Sequence, residues 1–277
     1  MKKKFLRILV WVGIVVVCAV VAAMLWQLFF NGSLTVHAQK WLQVFSVVGM
    51  FMLPPVICGI LWNKERNPFR WLKMDQGAHW SLFVMAIGIM VVALPGINLL
   101  AEWNSLLPLP ESLAAAEEDA EATIKAFLQT DHFGGILANL GLMALLPAVA
   151  EEMTFRGTLQ QIICKGQSDQ IPSTKVHVAI WITAFIFSAI HMQFLGFVPR
   201  MLMGAMFGYM FVWAGTLWIP ILMHFVNNAI GITLYYILPE NSNADTFGAG
   251  TTWYIGILSL ILTSLGLLIF YRRTHKQ

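Results

Sequence analysis

Long apolar runs separated by short polar joints make up most of the chain. About eight are long enough to cross a hydrocarbon core of roughly 30 Å, which takes about 20 helical residues. They are Ile8 to Phe30, Trp41 to Trp62, Ser81 to Leu100, Phe133 to Ile163, His177 to Phe194, Phe197 to Trp218, Ile219 to Leu238 and Trp253 to Tyr271. The pattern predicts an all-α protein, a polytopic transmembrane helical bundle. Prolines interrupt the second run at Pro54-Pro55, the third at Pro95 and the fourth at Pro147. Each lacks a backbone N–H and should loosen its helix. One segment, 102–132, breaks the apolar habit with Glu111, Glu117, Glu118, Asp119, Glu121 and Asp131 against a single Lys125. Its stretch from Ser112 to Gln129 is rich in helix formers and predicts a surface helix. A solvated connector is the plain use for it, and a lid over a site in the membrane is the alternative.

Composition excludes a soluble protein: 58% of the 277 residues are hydrophobic and 11% charged, with a mean hydropathy of +0.71. The net charge of +3 points to no nucleic-acid partner, because the basic residues fall in short joints rather than on a patch. Cys18, Cys58 and Cys164 are too scattered for a disulfide framework or a zinc knuckle. The opening Lys2-Lys3-Lys4 resembles a signal-peptide start, but the following run is too long for a cleaved one, so it reads as the first span. With no internal repeat and no linker, residues 1–277 read as one integral-membrane domain. Lys2–Arg7, Lys64–Lys73, Lys165/Lys175 and Arg272–Lys276 fall on one side of eight spans. The acidic segment 102–132 and Glu240/Asp245 fall on the other. By the positive-inside rule both termini are expected in the cytoplasm of a cell (inner) membrane, with the acidic segment outside.

The fourth run carries Glu151, Glu152 and Arg156. A charge at the centre of a span costs roughly 2.5–3.5 kcal/mol on insertion scales, so the two glutamates need a reason. An interfacial fringe just past the span would be the bland one. Helix spacing separates their tasks. Glu152 and Arg156 are four apart and share a face, with the glutamate N-terminal, the favourable order for an ion pair. Glu151 lies about 100° round the helix and is free to face something else. Two later runs add His191, one turn after Phe187, and His224, which shares a face with Asn228. A lone intramembrane histidine is often a satisfied interhelical hydrogen-bonder. Two of them together with a glutamate pair fit ionisable groups lining one interior cavity.

Glu151-Glu152-x-x-x-Arg156, Phe187-x-x-x-His191 and His224-x-x-x-Asn228, in this order over residues 133–235, resemble the motif set of the CAAX-protease and bacteriocin-processing family of intramembrane proteases. That family includes the type II CAAX prenyl endopeptidases. The resemblance implies an intramembrane endopeptidase acting on a peptide or protein substrate at the lipid bilayer, with a catalytic core over 133–235. It implies Glu151 as the base that activates water and His191 as a holder of that water. His224 and Asn228 would be donors to the oxyanion, and Glu152 with Arg156 the brace that aims Glu151. Members are described both as metal-independent glutamate proteases and as metalloproteases. Glu151, His191 and His224 make a possible zinc set with an open position for water, so both mechanisms stay open at this stage. The rival is a non-enzymatic transporter or peptide-binding scaffold, which midplane carboxylates and histidines also suit. It lacks support from any inverted repeat.

The nominal depths of the three candidate groups disagree. At about 1.5 Å per residue, Glu151 and His191 lie far along their helices from the basic joints, whereas His224 is close to Trp218. Either the fifth helix begins well outside the bilayer, or the start of the seventh is buried.

Overall fold

A computed structural model describes residues 2–33, 35–130, 132–164, 173–238 and 246–275. Lys165, Pro172, Asp131, Glu240, Asp245 and Lys276 lie outside the described residues. Among the described residues ten α-helices follow in order: α1 (Lys2–Phe30), α2 (Val36–Trp62), α3 (Pro68–Trp71), α4 (Trp80–Ser105), α5 (Glu111–Leu128), α6 (Phe133–Cys164), α7 (Ser173–Ala189), α8 (Phe197–Ala214), α9 (Trp218–Ile237) and α10 (Trp253–Thr274). The protein is a polytopic helical bundle. Among the described residues, six helices are long and apolar enough to cross a membrane: α1, α2, α4, α6, α8 and the segment Gly250–Thr274. The other two expected spans are α7, an apolar but shorter helix, and α9, whose His224, Asn227 and Asn228 dilute its hydropathy. The helix expected over 112–129 is α5.

The prolines leave visible marks. Wide π turns occupy Val48–Met52, just before Pro54-Pro55, and Leu140–Leu145, just before Pro147. A missing donor lets the preceding turn open. One carbonyl so released finds another partner, as it must in a setting without water. Pro55 cannot donate to the Phe51 carbonyl one turn back. The Thr154 hydroxyl donates to it instead at 2.7 Å, tying α6 to α2 two residues beyond Glu152. Near Pro95 in α4, Ser259 of α10 is inserted into the helical ladder. Its Oγ accepts from the Gly96 N–H at 2.9 Å and donates to the Val92 carbonyl at 2.5 Å.

Two expectations are corrected or resolved here. The fifth helix does not run to Phe194; α7 stops at Ala189, and His191 lies in the turn after it. Its imidazole helps end the helix: Nδ1–H donates to the Phe187 carbonyl at 2.7 Å, one of the C-terminal carbonyls that no backbone N–H reaches. The depth conflict is resolved at the seventh helix, whose start is buried. Leu217 and Ile221 pack with Trp71 and Leu72 of the α3 region, Ile219 and Pro220 are also buried, and the Leu217 N–H donates to the Lys73 carbonyl at 3.0 Å.

Contacts sort the joints into two ends. Arg7 lies over the rings of Trp62 and Trp71 at 5.4 and 5.9 Å, and Thr216 bonds the carbonyls of Lys73 and Gln76. Arg7 and the basic joint after α2 therefore share one end. At the opposite end Glu102 accepts from the Gly250 N–H at 3.0 Å, and Asn104 bonds the carbonyls of Phe194 and Leu195. The positive-inside rule then expects the basic end in the cytoplasm. In intact cells, with the three native cysteines replaced, an impermeant thiol reagent should label Asp119→Cys and spare Lys64→Cys. The reverse pattern would invert the assignment.

Candidate functional site

The site is built on α6 where the helix widens again into a π turn, Phe155–Gln160, directly after the glutamates. Glu152 and Arg156 are fully buried and paired, Nη1 to Oε1 at 2.6 Å. Removing two charges from water is costly and demands further partners, which α7 and α8 supply. Arg156 Nη2 donates to the Gly204 carbonyl at 2.8 Å. Its guanidinium carbon sits 4.6 Å from the Phe187 ring centroid and 5.4 Å from that of Phe207, within the range of cation–π attraction. Gly204 makes the approach possible: a Cβ there would sit 3.2 Å from the Phe187 ring and 3.3 Å from Ala184.

Glu152 Oε1 also accepts from Nδ1 of His224 at 3.0 Å, a link that sequence spacing did not reveal. Since a carboxylate accepts and Nδ1 donates, the lone pair of neutral His224 lies on Nε2. His191 is fixed the same way by the Phe187 carbonyl. Both imidazoles thus turn an Nε2 towards one atom, Glu151 Oε2, at 3.8 Å for His191 and 3.9 Å for His224. Glu151 Oε2, Glu152 Oε2 and Arg156 Nε are buried and make no hydrogen bond among the described residues. Phe187 is the common neighbour, with ring centroids 5.0 Å from His191 and 5.9 Å from His224, while Phe207 stacks on His224 at 5.5 Å.

The structure therefore brings together Glu151, Glu152, Arg156, His191 and His224. Asn228 lies one turn beyond His224, where its Oδ1 accepts from Asn227 Nδ2 at 3.2 Å. Zinc held by one carboxylate oxygen and two imidazoles at about 2.0–2.2 Å would set its donors about 3.4 Å apart. The two N···O separations here are wider, and among the described residues no group of three or more His, Cys, Asp or Glu is disposed to hold a metal ion. The donors as arranged do not fit that ion.

Sequence reasoning missed Gly204, Phe207, Asn104 and Arg200. The first had a signal, since Gly204-x-x-x-Gly208 is the small-residue spacing of close helix packing. Asn104 is buried at the end of α4 and clamps the loop after His191. Its Nδ2 donates to the carbonyls of Phe194 and Leu195 at 2.6 and 2.7 Å, and its Oδ1 accepts from the Val198 N–H at 3.0 Å. Arg200 donates to the carbonyl and Oε1 of Gln193 in the same loop, and its charge acts on both Glu117 and Glu151.

A family model described as type II CAAX prenyl endopeptidase Rce1-like matches residues 133–230. This segment is therefore similar to that family's domain. It spans α6 to most of α9, so it contains the whole cluster and agrees with the resemblance carried by the three motifs. The chain is also similar to the uncharacterized protein YpbD of Bacillus subtilis (strain 168), 32% identical over 92 residues. That alignment covers 32% of this chain and 41% of YpbD, so the chain spans about two fifths of that relative's length. No solved structure matches.

Within this matched segment the buried pair makes a stability prediction. Glu152→Gln strands the Arg156 charge, which in a buried pair costs about 3–5 kcal/mol, so its melting temperature should fall clearly. Adding Arg156→Met should recover part of the loss, because no unpaired charge remains. A Glu152→Gln protein melting at the wild-type temperature would refute this account of the pair.

Proposed function

We propose that the protein is an intramembrane endopeptidase in which Glu151 activates water for attack on a peptide bond of a membrane-associated peptide or protein. One observation carries the reading: a single carboxylate oxygen, without a hydrogen bond of its own, faces the Nε2 atoms of two imidazoles whose other nitrogens are anchored. Peptide hydrolysis needs a base, a held water and donors for the oxyanion. Glu151 Oε2 is the base. Nε2 of His191 accepts from the same water and orients it. His224, backed by the Glu152 carboxylate, is suited to carry a second proton and to donate from Nε2 to the tetrahedral oxygen or the departing amine. The Asn228 amide, on the same face of α9, is a further donor. Arg156 holds Glu152 in place through their ion pair. The match to the type II CAAX prenyl endopeptidase model supports the reaction class.

The test is cleavage of a quenched peptide library by the purified protein in detergent. Glu151→Gln keeps the shape but cannot accept the proton. Its rate should fall by at least the ~10²–10⁴-fold that general-base catalysis contributes, with an unchanged melting curve. Wild-type turnover by Glu151→Gln would sink the proposal.

Exhaustive chelation should leave the wild-type rate intact. Loss of activity together with about one zinc per chain, restored by zinc alone, would replace the metal-independent mechanism with a zinc-dependent one.

A further inference from the structure

The acidic helix α5 is fastened at one end and suspended along the rest. Phe127 and Leu128 are its buried residues. Tyr236 Oη donates to the Leu128 carbonyl at 2.6 Å and accepts from Asn139 Nδ2 at 2.7 Å, which pins this end to α9 and α6. Ahead of Lys125, the side-chain hydrogen bond that ties the helix to another element among the described residues comes from the Leu195 N–H to Glu117 Oε1, at 2.9 Å. Space flanks the helix on both sides. A cleft of about 440 Å³ separates it from α2 beside Gln39 and Gln43. A second, of about 400 Å³, lies between it and the loop after His191, with Glu117, Gln193, Leu195 and Arg200 in its walls.

That second cleft borders the loop that follows His191. Arg200 lines it while acting electrostatically on both Glu117 and Glu151, and Gln193 is two residues from His191. Exposure gives the direction of access: the side chain of His191 is 27% exposed, Glu151 16% and His224 7%. The site is therefore most open on the His191 side, where α5 lies. A helix held by buried apolar residues at one end and by one exposed hydrogen bond in its middle opens at low cost, because few contacts are broken.

We propose that α5 is a hinged lid, anchored at Phe127–Leu128 and latched by Glu117 on Leu195, and that substrate reaches Glu151 through the cleft it closes. The proposal rests on the endopeptidase reading for what passes beneath the lid, but the lid itself can be tested without activity. Arg200 and Gln193 are then the first polar groups that an incoming peptide meets. Opening exchanges the Glu117 contact with the Leu195 N–H for peptide contacts along the same loop.

Two experiments on the full chain, with Cys18, Cys58 and Cys164 replaced, decide it. In the first, Glu117→Cys and Leu195→Cys are bridged by a short bifunctional methanethiosulfonate and released by reductant. Cleavage of a quenched peptide should fall at least tenfold on bridging and return on reduction. Equal rates in both states would overturn the lid, and absence of cleavage in the wild type would instead count against the endopeptidase reading. In the second, spin labels at Asp119→Cys and Thr251→Cys report the distance from α5 to the fixed start of α10. Adding Glu117→Ala should move population from the closed distance to a longer one. A distribution that Glu117→Ala leaves unchanged overturns the lid whatever the activity.

Discussion

A buried carboxylate–guanidinium pair is the feature to which the rest of the site is fitted. Glu152 and Arg156 have left water entirely, and such a pair holds only where its remaining hydrogen-bonding capacity and charge are met by the protein. Each compensation recruits an element. The Gly204 carbonyl and the Phe207 ring bring in α8, the Phe187 ring brings in α7, and the His224 imidazole brings in α9. Four helices meet because one ion pair needs partners from all of them. The same contacts orient the reactive groups, since the carboxylate that neutralises Arg156 also fixes the tautomer of His224. Stability and chemistry are thus joined at Glu152 Oε1.

Departures from regular helix serve the same end. Proline in α2 releases a carbonyl that an apolar setting cannot leave unsatisfied, and its repair is a tertiary contact. Thr154 bonding the Phe51 carbonyl anchors α6 close to the glutamates, and Ser259 in the ladder of α4 joins α4 to α10. The early end of α7 belongs to this class. His191 terminates its own helix through the Phe187 carbonyl, so the atom that caps the helix also aims the opposite ring nitrogen at Glu151. Asn104 and Arg200 then hold the loop that follows, which places the acidic end of the bundle against the site.

Much was legible in the chain because it depends on local periodicity and on the cost of charge in hydrocarbon. The apolar runs located the helices to within a few residues at most ends. The basic residues around the first and second spans anticipated the end that Arg7 shares with Trp62 and Trp71. The spacing of Glu152 and Arg156 anticipated their pairing, and the helical angle between adjacent residues anticipated that Glu151 faces elsewhere. The three ordered motifs anticipated the match of residues 133–230 to the Rce1-like family model.

What the sequence could not determine was anything set by approach between segments distant along the chain. Counting residues along separate helices put Glu151, His191 and His224 at different depths. They converge because α7 ends early and the start of α9 is buried beneath Trp71 and Leu72. The bond from His224 to Glu152 links positions 72 apart, and the clamp of Asn104 on Phe194 links positions 90 apart. Periodicity carries no information on such pairs, because it records which face of a helix is apolar and not which helix that face meets. The sequence by itself determined the helices, the charges they bury and the family motifs. The tertiary structure alone decided that one carboxylate oxygen faces two imidazoles, since only packing specifies where three independent helices cross.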